Sequence, residues 1–352
     1  MKRQTIGLLT SGGDCPGLNA ALRGVGKTAI LKYGMKIIGI ANGFQGLINR
    51  ETIDLDERAL SGILTLGGTI LGTSREKPFK LSDVDGPAKP EQIKKNYEKL
   101  GLDCVVCIGG NGTMKTAYKL SKIGLNVIGV PKTIDNDVWG TDLTFGFDSA
   151  VQIATEAIDR LHTTANSHRR IMVVEVMGHS AGWLALQTGI AGGGDVILIP
   201  EIDVSMDAVA ACLTHRAKQG KPYSIVVVAE GLNSKDRELI PDAPGSSIPL
   251  GAGTWVAREI TRRTGLEARE TILGYIQRGG TPSPNDRVLA TRLGTKAAEL
   301  IAAGCYGTMA ALRGGELVAV PLSDVAGKLK TVPPDHPLIQ EARLMGTCFG
   351  DA

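Results

Sequence analysis

The segment Pro131-Lys132-Thr133-Ile134-Asp135-Asn136-Asp137 carries the residues best suited to chemistry in this chain. Its two aspartates flank one amide, and their alternation lets one approach a substrate hydroxyl while the other serves a hard cation. Two glycine-rich segments, Ser11-Gly12-Gly13-Asp14 and Gly109-Gly110-Asn111-Gly112-Thr113, each sit between an apolar run and a helical pattern. There, bare backbone N–H groups and a positive helix end can meet an anion, and glycine matters because a Cβ would hold phosphate away. Arginines stand in restricted settings: Arg75 after Gly67 to Gly72, Arg170 after His168-Arg169, Arg269 after Gly265 to Ala268, and Arg278 within Gly274 to Gly280. A guanidinium fork binds phosphate bidentately and stays charged at any working pH. Taken singly, these features read as a capped turn, tight strand-to-helix turns and solvated charges. Together they favour a phosphate-handling site with a base and a cation ligand.

Competing motifs fail. Ala21 to Thr28 nearly spells a Walker A loop, but Ala21 replaces its first glycine and the stretch lies inside a helical pattern. No glycine-rich loop has Gly-x-Gly-x-x-Gly after its strand, which sets NAD chemistry aside. Cys104 and Cys107 form a Cys-x-x-Cys within the apolar run Leu102 to Ile108, with no second cysteine pair nearby. A buried strand explains them better than a redox or zinc site.

The elements that must position these loops follow from the hydrophobic pattern. Short apolar runs at Thr5 to Leu9, Lys36 to Ile40, Cys104 to Ile108, Val127 to Val130, Ile171 to Val176, Val196 to Ile199 and Ile225 to Ala229 read as strands. Helical spacing separates them at Leu18 to Lys32, Glu91 to Leu100, Met114 to Lys122, Val151 to Thr164, Ala181 to Ile190 and Met206 to Lys218. Strands apolar on both faces and joined through helices form parallel sheets, so the fold class is doubly wound α/β. Ligands in such sheets sit beyond the carboxyl ends of the strands, where the three loops above begin. Element counting puts a domain boundary near residue 147. Pro and Gly thicken after Gly231 and in Pro333 to Pro337, which reads as a surface loop and a C-terminal tail.

Composition narrows the function class. The chain has 352 residues, 43% hydrophobic and 21% charged, enough for about two domains with real cores. Lys and Arg number 39 against 36 Asp and Glu, so no basic excess draws the protein to nucleic acid. Aromatic residues at 4% leave few platforms for stacked bases. Glycine, at 46 residues, is about twice its usual share of roughly 7%, which implies many tight turns. Six scattered cysteines do not make a disulfide scaffold. The apolar run Ile6 to Leu9 is too short for a signal-peptide core and no stretch is long enough to span a bilayer. A cytoplasmic protein without membrane partners is the expectation.

Five segments closely resemble those of the 6-phosphofructokinases, and the match as a whole runs in unbroken order from about residue 5 to residue 315. The five are Ser11 to Ala21, Gly67-Gly68-Thr69 with Arg75, Pro131 to Asp137, Val176-Met177-Gly178, and Gly274 to Gly280. The last stretch of the chain adds little. The resemblance implies two Rossmann-like domains with mostly parallel sheets and an active site in the cleft between them. It assigns 1–146 with 277–330 to the donor and 147–276 with 331–352 to fructose 6-phosphate. The implied reaction moves a phosphoryl group to the carbon-1 hydroxyl of fructose 6-phosphate, giving fructose 1,6-bisphosphate in glycolysis, with Mg²⁺ required.

On the family's pattern Asp135 is the general base, with Thr133 and Asp137 beside it. Arg75 and Gly12 stabilise the charge on the phosphoryl group. Gly13, Gly110, Asn111, Gly112, Thr113 and Lys132 join them around the donor, and Asp137 with Asn111 is the implied metal site. Met177, Gly178, Glu230 and Arg278 line the sugar phosphate, as do His179 and Tyr275, which stand where relatives often carry an arginine and a histidine. Arg170 and Arg269 reach in from a neighbouring subunit, so a homotetramer or homodimer with shared sites is implied.

ATP and pyrophosphate are both used as donors within this family. Pyrophosphate users carry an aspartate where this chain has Gly112 and a lysine where it has Lys132. A carboxylate at 112 would crowd and repel the α-phosphate of a nucleotide, whereas Lys132 can hold the phosphate charge of either donor. Steric exclusion is the harder effect to circumvent, so ATP is favoured over pyrophosphate. Asn111 replaces an acidic residue common in relatives, so Mg²⁺ should lean on Asp137, donor phosphates and water. A non-catalytic sugar-phosphate-binding regulator is the reading from another class, and Asp135 weighs against it because such a protein needs no base.

Overall fold

Val105, Val106, Cys107 and Ile108 are all fully buried, which only a strand covered on both faces allows. The computed structural model describes residues 3–80, 88–233 and 250–351. Its strands, in chain order, are β1 (Thr5–Ser11), β2 (Lys36–Ile40), β3 (Thr52–Asp54), β4 (Cys104–Gly109), β5 (Val127–Pro131), β6 (Ile171–Val176), β7 (Val196–Leu198), β8 (Ser224–Ala229), β9 (Ala268–Ile272), β10 (Thr308–Arg313) and β11 (Glu316–Pro321). The helices are α1 (Leu18–Tyr33), α2 (Phe44–Asn49), α3 (Lys89–Lys99), α4 (Asn111–Lys122), α5 (Phe147–His168), α6 (Trp183–Ala191), α7 (Met206–Lys218), α8 (Ala252–Thr264), α9 (Pro284–Ala302), α10 (Leu322–Val325) and α11 (Pro337–Leu344). The surface loop expected after Gly231 lies, from 234 to 249, outside the described residues.

The chain divides into two units, Met1–Ser149 with Arg278–Lys330, and Ala150–Gln277 with Thr331–Ala352. The first division thus falls inside the opening turn of α5 and the second at the end of the 3-10 turn Gly274–Arg278.

The first unit holds a seven-stranded sheet in the order β11-β10-β5-β4-β1-β2-β3. Neighbours from β2 to β10 run parallel, and the edge strands β3 and β11 pair antiparallel. One apolar cluster joins Leu9, Val105, Val127 and Met309 of the sheet to Met114, Ala117 and Leu120 of α4. Each Leu, Val or Met side chain removed from water there is worth about 1.5–3 kcal/mol.

The stretch that nearly spells a Walker A loop is the middle of α1, and its glycines serve packing. A Cβ on Gly24 would stand 2.7 Å from the Thr291 carbonyl oxygen, and one on Gly294 would stand 2.6 Å from that of Ala21. Small residues therefore let α1 and α9 touch backbone to backbone. The Cys-x-x-Cys likewise proves structural: both thiols are fully buried in β4, and burial pushes Cys107 up to about 12.

The second unit holds a four-stranded parallel sheet in the order β7-β8-β6-β9. Its core joins Val173, Val226 and Val228 of the sheet to Val209 and Leu213 of α7 and to Trp255 and Ile260 of α8. The C-terminal stretch is more than a tail. Cys348 bridges to Val196 at the start of β7 and Phe349 is buried. Strands β3 and β9 were not legible as apolar runs, because all of β3 and much of β9 are exposed and carry polar side chains. No helix among the described residues is long and apolar enough to cross a membrane.

Candidate active site

Register brings three strand ends of the first unit together. Ser11 of β1 lies beside Gly109 of β4, and Gly109 beside Pro131 of β5. The loops that follow leave the sheet at neighbouring positions, one strand spacing of about 4.8 Å apart.

After β1 the backbone turns at Gly12, whose φ of +90° suits glycine alone among common residues. Its N–H donates to the Ser74 carbonyl at 3.0 Å, and the Thr73 hydroxyl donates to its carbonyl at 2.7 Å. These bonds hold the segment carrying Arg75 against the turn. Arg75 itself is exposed and makes no ion pair among the described residues. A further residue without an assigned role supports this arrangement. Asn19 is buried, accepts from the Ile70 N–H at 2.8 Å, and donates to the carbonyls of Leu66 and Gly67. Its place in a helix pattern gave no hint that it fastens a distant loop.

After β4, α4 starts with Gly110 as its N-cap, and no side chain caps it. Its opening amides, with no acidic residue in that turn, present the positive end of the helix. A Cβ on Gly112 would meet nothing within 4 Å. The Thr113 hydroxyl donates to the Ser11 carbonyl at 3.3 Å, tying α4 to the end of β1.

After β5, Lys132 and Thr133 are buried. The Lys132 ammonium donates to the Gly13 carbonyl, bridging two of the loops, and burial lowers its pKa from the usual lysine value. The Thr133 hydroxyl donates to Oδ2 of Asp135 at 3.1 Å, whereas Oδ1 of Asp135 is buried without a hydrogen-bond partner among the described residues. Asn136 sits at φ +51°, and its Oδ1 accepts from the Thr144 N–H at 3.1 Å. Asn111 donates through Nδ2 to the Asp137 carbonyl at 3.2 Å, and its own Oδ1 is another buried oxygen without a partner among the described residues. Arg278 belongs to this unit too. Its Nη1 donates to the Asp14 carbonyl at 3.2 Å, while its Nε is buried with no partner among the described residues.

Among the described residues no three His, Cys, Asp or Glu side chains gather as a metal cage. What the first unit offers a cation is the buried Asn111 Oδ1, with Asp137 as the acidic residue on the segment whose backbone carbonyl its amide nitrogen holds. That sparse oxygen set fits Mg²⁺, which keeps several waters and takes phosphate oxygens.

In the second unit the predicted residues fall into two groups at opposite ends of one sheet. Met177, Gly178 and His179 follow β6 and Glu230 follows β8, at the carboxyl ends. The Glu230 side chain accepts from the His179 N–H at 2.8 Å, and the Glu230 N–H donates to the Val176 carbonyl at 2.9 Å. Gln277, which the sequence did not single out, is fully buried and accepts from the Met177 N–H at 3.3 Å. Tyr275 is 74% exposed and makes no hydrogen bond among the described residues. Arg170 and Arg269 lie at the amino ends of β6 and β9, roughly 20 Å of strand away. The Glu267 carboxylate gathers both, from Arg170 Nε at 2.8 Å and from Arg269 Nη2 at 2.6 Å. Those bonds hold its pKa below the usual carboxylate value.

Residues 5–301 match the phosphofructokinase family model. The chain belongs to the phosphofructokinase family. It is 61% identical to the ATP-dependent 6-phosphofructokinase of Spirochaeta thermophila, with all of both chains covered. It is 58% identical to ATP-dependent 6-phosphofructokinase 3 of Bacteroides thetaiotaomicron, over 98% of this chain and 99% of that one. The pyrophosphate–fructose 6-phosphate 1-phosphotransferase of Streptomyces coelicolor is 48% identical over 94% of this chain and 96% of its own. Among solved structures, Pichia pastoris phosphofructokinase in the T-state matches with a TM-score of 0.82 and 33% identity, over 92% of this chain. The present chain spans about a third of that longer one (35%).

Proposed function

We propose that the chain transfers the terminal phosphoryl group of ATP to the carbon-1 hydroxyl of fructose 6-phosphate, giving fructose 1,6-bisphosphate. The carrying observation is the Asp135 carboxylate, one oxygen fixed by Thr133 and the other buried without a partner. Leaving such an oxygen bare costs about 1–3 kcal/mol or more, and a substrate hydroxyl placed there would complete it. Asp135 then takes the hydroxyl proton as the oxygen attacks. The loops beside it spread the charge of the moving phosphoryl group, through the Gly12 backbone, Arg75 and the opening amides of α4. Mg²⁺, held by Asp137 and Asn111 with donor phosphates and water, would neutralise phosphate charge. Lys132 and Gly13 keep the donor loops together.

The open space at Gly112 supports ATP as the donor, as do the names of the most similar relatives. The Streptomyces relative keeps pyrophosphate as the alternative. Met177, Gly178, His179, Glu230, Tyr275 and Arg278 are the proposed contacts to fructose 6-phosphate. Arg170 and Arg269, displaced to the far end of their sheet, are proposed to serve the sugar phosphate of a neighbouring copy, in a homotetramer or homodimer of the cytoplasm.

The deciding experiment supplies fructose 6-phosphate and Mg²⁺ with each donor in turn and follows fructose 1,6-bisphosphate. Product with ATP is expected. Product with pyrophosphate alone would reverse the donor, and no product with either would remove the enzyme.

A further inference from the structure

Lys330 lies beyond the stretch that matches the family model, residues 5–301, yet its side chain ends in the loop that carries Asp135. Its ammonium donates to Asn136 Oδ1 at 3.0 Å, to the Thr141 carbonyl at 3.0 Å and to the Asp142 carbonyl at 2.7 Å. Its backbone N–H donates to the Asp137 carbonyl at 2.9 Å, and the preceding Leu329 forms an antiparallel bridge with Val138. All of these residues belong to the first unit.

The loop needs such a fastening. Asn136 stands between the two aspartates in the left-handed region, at φ +51°, a conformation that asparagine tolerates but that must be over-determined to persist. Its side-chain oxygen supplies the determination, by accepting from the Thr144 N–H and from Lys330. Turning that amide out would let the backbone relax, and the carboxylates on either side would turn with it. An ammonium offers three donors on one atom, and three acceptors from separate points of the 136–142 segment meet it here.

We infer that Lys330 is a positioning residue for phosphoryl transfer, acting through Asn136 to hold Asp135 and Asp137 in their working orientation. The inference rests on the proposed function and adds to it a residue from the C-terminal part of the chain. Its effect belongs to the chemical step. Displacing a base by about 1 Å can cost up to about a hundredfold in turnover while ground-state contacts persist.

The test compares wild type, Lys330→Met, Asn136→Ala and the double variant, reading kcat, KM for fructose 6-phosphate and thermal midpoint in one series. Lys330→Met is expected to lower kcat by about tenfold or more, with KM within about threefold of wild type. The double variant should turn over within about threefold of the slower single one, since both changes release the same loop. A Lys330→Met enzyme with kcat within twofold of wild type would overturn the inference, and so would losses that multiply in the double variant. If Lys330→Met does not yield folded protein, Lys330→Gln takes its place under the same criteria. Wild type inactive with either donor would strike the proposed function, whereas active wild type with an unaffected variant strikes the positioning role alone.

Discussion

The guanidinium of Arg278 fills the space that a side chain at position 13 would need. A Cβ on Gly13 would stand 2.8 Å from Arg278 Nη1 and 3.1 Å from its Cζ. The absence of a side chain in the first glycine-rich loop therefore admits an arginine that reaches it from more than two hundred residues away in sequence.

Gly13→Ala should leave stability within about 1 kcal/mol of wild type, because only the far end of a flexible side chain must move. If Arg278 holds the sugar phosphate, the same change should raise KM for fructose 6-phosphate at least about tenfold through the lost charge-assisted bonds. Steady-state kinetics beside a denaturant titration checks both halves. An unchanged KM would detach Arg278 from the substrate.

Asp135→Ala removes the carboxylate that Thr133 orients. Turnover should fall by at least about a hundredfold, the lower end for loss of a general base, while fructose 6-phosphate still binds in a calorimeter. Near-normal turnover would take the base away from this position.

Gly112→Asp puts a carboxylate into open space at the first turn of α4. Use of ATP should drop at least about tenfold more than use of pyrophosphate, since only the nucleotide brings an α-phosphate to be repelled. Equal losses in kcat/KM with the two donors would show that the turn does not face the nucleotide.

Asp286 links stability to pH. It is buried near the start of α9, where it accepts from the Ser149 N–H at 2.8 Å and from the Ser149 hydroxyl at 2.6 Å. Burial outweighs those bonds and pushes its pKa from 3.8 up to about 6. Between those values the folded protein binds more protons than the unfolded one, so this group's contribution to stability falls as pH rises from about 4 to 6 and is flat above. Asp286→Asn keeps an acceptor for both Ser149 donors and removes the titration. Relative to that variant, wild type should lose up to about 3 kcal/mol across this window. Urea midpoints at intervals from pH 4 to 7 would show the two curves diverging, and parallel curves would contradict the assignment.

Most strands buried on two faces were legible as continuous apolar runs, as at Cys104 to Ile108, but Thr308–Arg313 was not, although Met309 to Leu312 are buried, since its alanines suit a helix as well as a strand. Edge and exposed strands were not legible either, because Thr52–Asp54 and Ala268–Ile272 bury too little to leave a pattern. The candidate residues of the first unit stood out because Gly12, Gly110 and Asp135 each follow such a run. Asn19 and Gln277 lie inside segments that carry the resemblance, yet neither they nor Lys330 received a role, since each acts on backbone distant in sequence and its own neighbours carry no trace of that partner.

The sequence by itself determined the parallel strands and the glycine turns at their ends, because these depend on local composition and periodicity, and it drew attention to the paired aspartates that follow one such strand. The tertiary structure alone decided which oxygen of Asp135 is left bare, and that Lys132 and Lys330 are fixed to backbone carbonyls. It also decided that Arg170 and Arg269 stand at the far end of their sheet from Met177. Strand register and long-range hydrogen bonds set those facts, and both arise only when segments remote in the chain compete for the same donors, acceptors and space.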